Sequence, residues 1–330
     1  MLNKYRPHER NEDSMELSVV QEKYELLVKE LKKVLVGQEE FIEHLVIALF
    51  TGGHVLIEGV PGLGKTLSAR TLAKTLDSEF SRIQFTPDLM PSDVTGTKVF
   101  DVKSSAFYMK KGPVFTNILL ADEINRATPK TQSALLECME EGNVTIDGET
   151  YTLSKPFMVL ATMNPLEFEG TYPLPEAQLD RFLMKLVIRH LPPEQEEVLL
   201  KKVNESGGEI SPDVVSSAIT SNEWVSMNQE INKVHVSDNI IRFITSIVYA
   251  TRNSPAVILG ASSRASIAIM KCAKTLAAFS GRDFVIPEDV VEVVNPVLRH
   301  RIIVKPETQL DNITVDDILH GIIKNVEVPR

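Results

Sequence analysis

The segment Gly59-Val60-Pro61-Gly62-Leu63-Gly64-Lys65-Thr66, followed by Leu67, fits the pattern G-x-x-x-x-G-K-[ST]. The chemistry this spacing supports is phosphate binding. Glycines let the backbone wrap closely around phosphate oxygens, and a helix starting just behind them would aim its N–H groups and positive dipole end at the same oxygens. Lys65 adds a point charge, and Thr66 offers a hydroxyl to Mg²⁺. Hydrolysis needs two further groups, an acid that anchors the metal and one that orients or deprotonates water. Asp122-Glu123 supplies both, with Asp122 assigned to Mg²⁺ through water and Glu123 to the attacking water.

Asn164 ends the run FMVLAT-Met-Asn and can hydrogen-bond a γ-phosphate or the water; the competing reading is a turn-forming Asn before Pro165. Arg181 in LPEAQLDRF and Arg264 in GASSRAS are the remaining cationic candidates, although an isolated arginine is usually a surface charge.

These residues need a scaffold. HVLIE at 54 to 58 is too short for a core helix and reads as a buried strand, so the glycine loop lies between a strand and a helix over 66 to 77. The runs NILLA (117 to 121), FMVLAT (157 to 162) and MKLVI (184 to 188) alternate with that helix and another over 128 to 141. Such alternation predicts an α/β fold, a parallel sheet with helices on both faces, and places Asp122 beside the strand of the glycine loop. Upstream, Val20, Tyr24, Leu27, Leu31 and Val34 recur at helical spacing, and a second helix runs from about Gln38 to Phe50. VFDVKSSAFYM (99 to 109) and NVTIDGETYTL (143 to 153) read as inserted hairpins, the second around Asp147-Gly148.

Past LPP at 191 to 193 the pattern becomes almost wholly helical. The expected organisation is therefore an arm over 1 to 15, a nucleotide-binding αβα domain over 16 to 190, and a helical lid over 191 to 330. In the lid, Ile240, Ile241, Ile244, Ile247 and Val248 follow the capping candidate Ser237. Ile267, Met270, Ala273, Leu276 and Ala277 make a second stripe ending before Gly281, and Pro287 opens a third helix.

The net charge of −10 and pI near 5.3 argue against a surface built mainly to hold nucleic acid. Cys138, Cys272 and the seven histidines show no metal-ligand spacing. No run reaches the ~18 apolar residues of a membrane helix, and the polar start is unlike a leader, so no membrane span and a cytoplasmic location are expected.

Taken in order, VGQEE (36 to 40), GVPGLGKT (59 to 66), LLADEINRATPKTQSALLECMEEG (119 to 142), ATMNP (161 to 165), EGTYPLPEAQLDRF (169 to 182) and GASSRAS (260 to 266) closely resemble the MoxR family of AAA+ ATPases. The resemblance implies ATP or ADP with Mg²⁺ as ligands, bound between core and lid, in a homo-oligomeric, usually hexameric ring. By position, Asn164 resembles the sensor-1 residue, Arg181 the arginine finger reaching a neighbour's γ-phosphate, and Arg264 the sensor-2 arginine coupling lid to nucleotide. Gly37 and Gln38 fall where the family lines the adenine pocket, and Arg126 falls where it could serve a subunit contact or cap the loop after Asp122. The stretch from about 80 to 110 resembles the helix-2 insert, and the second hairpin the pre-sensor-1 hairpin. Ser263 stands where many relatives carry proline.

The family's chaperone-like work implies separate client proteins, often with von Willebrand factor A domains, including metal-cofactor insertion. Two alternatives remain at this level. One is a nucleic-acid motor using Lys98, Lys103, Lys110 and Lys111 with Phe100, Phe107 and Tyr108; the other is an ATP-dependent docking switch.

Overall fold

The computed structural model describes residues 16–165 and 170–329 of the chain. The arm expected over residues 1–15 lies outside the described residues. Two helices come first, α1 (Leu17–Lys32) and α2 (Glu39–Thr51), then strand β1 (Val55–Glu58) and helix α3 (Lys65–Thr75). Val20, Leu27 and Leu31 bury one face of α1, whereas Val34 lies beyond its end, in the turn before Gly37.

The chain continues through β2 (Phe80–Gln84), α4 (Pro91–Thr95), β3 (Gly96–Asp101), β4 (Ala106–Lys111), β5 (Ile118–Asp122) and α5 (Pro129–Glu141). A second hairpin, β6 (Asn143–Ile146) and β7 (Glu149–Thr152), precedes β8 (Met158–Met163), α6 (Glu176–Leu179) and β9 (Met184–Val187). Five strands form one parallel sheet in the order β2-β5-β8-β1-β9.

That order corrects two expectations. First, β8 lies between β1 and β5, so Asp122 and Glu123 stand one strand further from the glycine loop than local spacing suggests. A crossover helix can return the chain beside its first strand or further along the sheet, and short-range pattern does not encode which. Second, residues 80–84 are the edge strand of this sheet, so the inserted hairpin is confined to β3 and β4, paired as Phe100 with Phe107.

Central strands bury both faces, which explains their unbroken apolar runs. Ile118 and Leu120 of β5 join one apolar cluster, while Leu119 and Ala121 join the other, packed with α5.

The C-terminal region contains α7 (Pro193–Glu205), α8 (Ser221–Lys233), α9 (Asp238–Asn253), β10 (Val257–Leu259), α10 (Ser263–Phe279), α11 (Pro287–Leu298), β11 (Ile303–Val304), α12 (Pro306–Leu310) and α13 (Val315–Asn325). Ser237 caps α9 by accepting from the Ile240 N–H, and Pro287 opens α11. The antiparallel ribbon β10-β11 interrupts what the sequence presents as almost wholly helical. Three- and two-residue strands carry too little alternation to register as a pattern.

The first apolar cluster runs without a break from Ile57 and Leu186 of the sheet to Ile244, Ile269 and Val293 of the lid. Tyr24 of α1 stacks on Phe279 of α10 at 4.1 Å, and Phe50 of α2 meets the same ring edge-on at 5.4 Å. The apolar cores therefore divide by sheet face rather than by chain segment, and the N-terminal helices brace the lid.

One buried histidine fixes the strand that carries Asn164. His54 Nδ1 accepts the Val159 N–H at 3.0 Å, and Nε2 donates to the Met139 carbonyl at 3.0 Å. Only the neutral ring can do both. Burial pulls its pKa from the ordinary 6.5 down to about 4. As pH falls below 6.5 the unfolded chain takes up a proton that folded His54 refuses, so stability present above that pH is lost progressively toward pH 4. The expected loss from this group at pH 5 is about 2 kcal/mol. Urea unfolding at pH 7 and pH 5 checks this, and His54→Gln should show the smaller drop.

Candidate functional site

Gly62 and Gly64 hold φ of +88° and +81°, a region that side chains rarely adopt, and this lets the loop curl back over the end of β1. Lys65 is the first residue of α3, and its Nζ donates to the Gly59 carbonyl at 2.7 Å, bridging the loop's two ends. Val60 and Pro61 lie in the intervening turn. An apolar cavity of about 210 Å³ opens beside Gly62 and Gly64, walled by Val36, Leu63, Leu67 and Leu191. Such walls suit the faces of a purine base.

Gln38 borders this cavity and, with Gly37, also lines a separate polar cavity of about 560 Å³ shared with Arg189, Asn295, Arg299 and His320. Gly37 has φ +67°, and a Cβ there would come within 2.9 Å of Leu191 and Gln195. Its evident role is to let the start of α7 approach and close the pocket. The resemblance implies both residues at the adenine pocket; Gln38 lies on the wall of both cavities and Gly37 on that of the polar one.

Asp122 ends β5, and Glu123 follows in the left-handed region at φ 56°, strain tolerable where neighbours over-determine the conformation. Those neighbours come from both flanking strands. On β8, the Thr162 hydroxyl donates to Asp122 Oδ1 at 2.6 Å and accepts the Glu123 N–H at 2.9 Å. On β2, Arg82 donates to Asp122 Oδ2 at 2.7 Å, and Gln84 Nε2 donates to Glu123 Oε2 at 2.6 Å. Arg126 Nη1 reaches the same Glu123 oxygen at 2.9 Å. Asn164 follows β8 and is buried. Thr66, second residue of α3, and Asp122, last residue of β5, are the hydroxyl and the carboxylate that would hold Mg²⁺ together with a polyphosphate.

Thr162, Arg82 and Gln84 are absent from the sequence-based set. Thr162 ends an apolar run and resembles an ordinary core threonine, while Arg82 and Gln84 lie on an edge strand without apolar periodicity. Alternation along β2 could have placed Arg82 and Gln84 on one face had the strand been recognised. Thr162→Val removes a donor to Asp122 and leaves the Glu123 N–H unpaired. It should cost about 1–3 kcal/mol of stability, measured by urea denaturation.

Arg181 and Arg264 converge on one carboxylate of α5. Glu140 Oε2 receives Arg181 Nη2 at 2.9 Å, and its Oε1 receives Arg264 Nη2 at 2.9 Å. Arg181 Nη1 also donates to the Leu136 carbonyl at 2.9 Å. The resemblance implies separate tasks for these arginines, one toward a neighbour and one on the lid. The structure brings them together on Glu140, which Arg264 also pairs with.

Residues 54–184 match the family described as "ATPase family associated with various cellular activities (AAA)", and residues 249–322 match an AAA lid domain. The chain is 46% identical to the uncharacterized protein YeaC of Bacillus subtilis (strain 168), covering 92% of this chain and 93% of the relative. It is 39% identical to Chaperone MoxR1 of Mycobacterium tuberculosis, covering 93% and 82%. A crystal structure of a candidate ATPase from Cytophaga hutchinsonii superposes with a TM-score of 0.87 at 45% identity, over 95% of this chain and 97% of that one. The AAA and AAA lid matches and these relatives agree, and the chain belongs to the MoxR family of AAA+ ATPases.

Proposed function

We propose that the chain hydrolyses ATP to ADP and phosphate in a homo-oligomeric ring, most simply a hexamer, and uses the cycle to remodel client proteins in the cytoplasm. The observation that carries this reading is a split catalytic set. Lys65, Thr66, Asp122, Glu123 and Asn164 belong to the loop and strand ends that follow β1, β5 and β8, whereas Arg181 and Arg264 share Glu140 on α5. Arg82 and Arg126 are engaged by Asp122 and Glu123 within the same chain, and the arginine for the transferred phosphate is supplied by the pair from an adjoining copy.

In this mechanism the loop N–H groups and Lys65 bind the phosphates, and Thr66 and Asp122 would hold Mg²⁺. Mg²⁺ held there would supply positive charge against the phosphates as the bond breaks. Glu123 accepts the proton of the attacking water, Asn164 holds that water or the γ-phosphate, and Arg181 of the adjoining copy steadies the transferred group. Gln84 and Arg126 both donate to Oε2 of Glu123, so Oε1 is the oxygen assigned to the water, and Arg181 exchanges Glu140 for the phosphate.

The inserted hairpin supports a protein client over nucleic acid. Phe100 and Phe107 pair at 5.1 Å between ring centres, and both are exposed together with Val102. Lys98, one of the basic residues of this hairpin, is paired with Glu149 at 2.8 Å. The relative named Chaperone MoxR1 supports the same direction. We place clients with von Willebrand factor A domains first, with metal-cofactor insertion as one outcome of remodelling.

Capture from native extract by Glu123→Gln in ATP, against Lys65→Ala, tests the client reading. Enrichment of a von Willebrand factor A protein by Glu123→Gln alone is expected. Enrichment of nucleic acid, or equal capture by both variants, would contradict it.

A further inference from the structure

Arg181 is held from both sides by the lid. The segment Asp180–Leu183 follows α6, and it receives a buried guanidinium from beyond the end of α11. Arg301 Nε donates to Asp180 Oδ1 at 2.6 Å. Its Nη2 donates to the carbonyls of Asp180 at 3.2 Å and Phe182 at 2.7 Å. Its Nη1 donates to the carbonyls of Leu183 at 3.0 Å and Val297. A guanidinium carries five N–H groups, so every one finds an acceptor, and four of those acceptors belong to residues 180, 182 and 183.

Two neighbours extend the clamp. His300 Nε2 donates to the Phe182 carbonyl at 3.0 Å. Ser262, immediately before α10, makes no capping bond to its own helix and instead donates its hydroxyl to Asp180 Oδ2 at 3.2 Å. Two residues further on stands Arg264, sharing Glu140 with Arg181. Asp180 therefore ties together the segment that carries one arginine and the helix start that carries the other.

We propose that Arg301, assisted by His300 and Ser262, is the positioning residue that fixes Arg181 to its own lid, so that lid and arginine pair travel as one unit toward the adjoining copy's phosphate. The proposal rests on the reading of Arg181 as an arginine supplied in trans. Simple packing does not require this chemistry: a buried charge is costly to desolvate, and an apolar side chain often stabilises such a position as well or better. What a guanidinium adds is a set of directed donors that define the backbone on both sides of Arg181. Movement of the lid with its bound nucleotide would then reset the neighbour's site, linking sequential sites around a ring without a separate relay.

Subunit mixing separates positioning from bracing. Arg301→Gln keeps its own glycine loop and acids, so fluorescent ATP-analogue affinity should stay near wild type while turnover falls about 100-fold, the scale of a roughly 1 Å misplacement. Lys65→Ala has no working phosphate site but carries an intact Arg181. Random mixing of the two should restore up to roughly a quarter of wild-type turnover, the share of neighbours joining an intact loop to an intact arginine. Wild-type turnover by Arg301→Gln alone would overturn the proposal.

The control pair is Arg181→Ala with Lys65→Ala. If it recovers while the Arg301→Gln pair does not, Arg301 is a brace and the positioning proposal fails alone. If the control pair also stays inactive, the trans reading fails and the proposal with it. Asp180→Asn, which leaves every lid side chain in place, replaces Arg301→Gln should that variant not fold, with the same expected recovery.

Discussion

Replacing Arg181 with alanine is expected to lower ATP turnover by ~10³ to 10⁵, the range associated with an arginine that stabilises transferred phosphoryl charge. The loss should fall on turnover rather than nucleotide affinity, because the glycine loop, Lys65 and the apolar cavity are separate from Arg181 and its partners on α5. Arg181→Lys should recover little, since one ammonium cannot reproduce a planar fork of donors. Steady-state turnover and fluorescent-nucleotide binding on the same preparations, under assembling conditions, read the two effects separately. Wild-type turnover by Arg181→Ala would remove the arginine from the mechanism.

Glu123→Gln carries the second large effect. Amide replaces the carboxylate that takes the water's proton, and positioned bases contribute ~10² to 10⁴ in rate. Nucleotide binding should persist because Asp122 keeps its bonds from Thr162 and Arg82. Single-turnover measurement with labelled ATP distinguishes this outcome from a folding defect: the variant should load stoichiometrically and cleave slowly. Failure to load would assign Glu123 to binding instead.

The glycine loop was legible because its whole requirement is local, with glycines, lysine and threonine contiguous between a strand and a helix. Strands β5 and β8 were legible for a related reason, since burial on both faces writes an apolar run such as ILLA or MVLA. β2 did not show itself because Phe80-Ser-Arg-Ile-Gln84 is an edge strand with mainly Ile83 turned inward. With it went Arg82 and Gln84, whose contacts to Asp122 and Glu123 bridge about 40 residues of chain.

Sheet order was equally hidden, because the return of each crossover is decided by packing of helices on the two faces and not by the strand's own residues. The arginines illustrate the same limit at the site. Arg181 and Arg264 were found by resemblance, but their meeting on Glu140 depends on how the lid closes against α5. Arg301 looks like one more charge in the cationic run Arg299-His300-Arg301, and only the folded chain shows it buried on the segment around Arg181.

The central claim is that each ATP site is completed by a second copy of the chain. Turnover per subunit, measured with Mg²⁺ and saturating ATP across a protein-concentration series while sedimentation follows assembly, tests it most directly. Turnover should rise in step with the assembled fraction and vanish where single chains sediment. Constant turnover per subunit down to the single chain would contradict it.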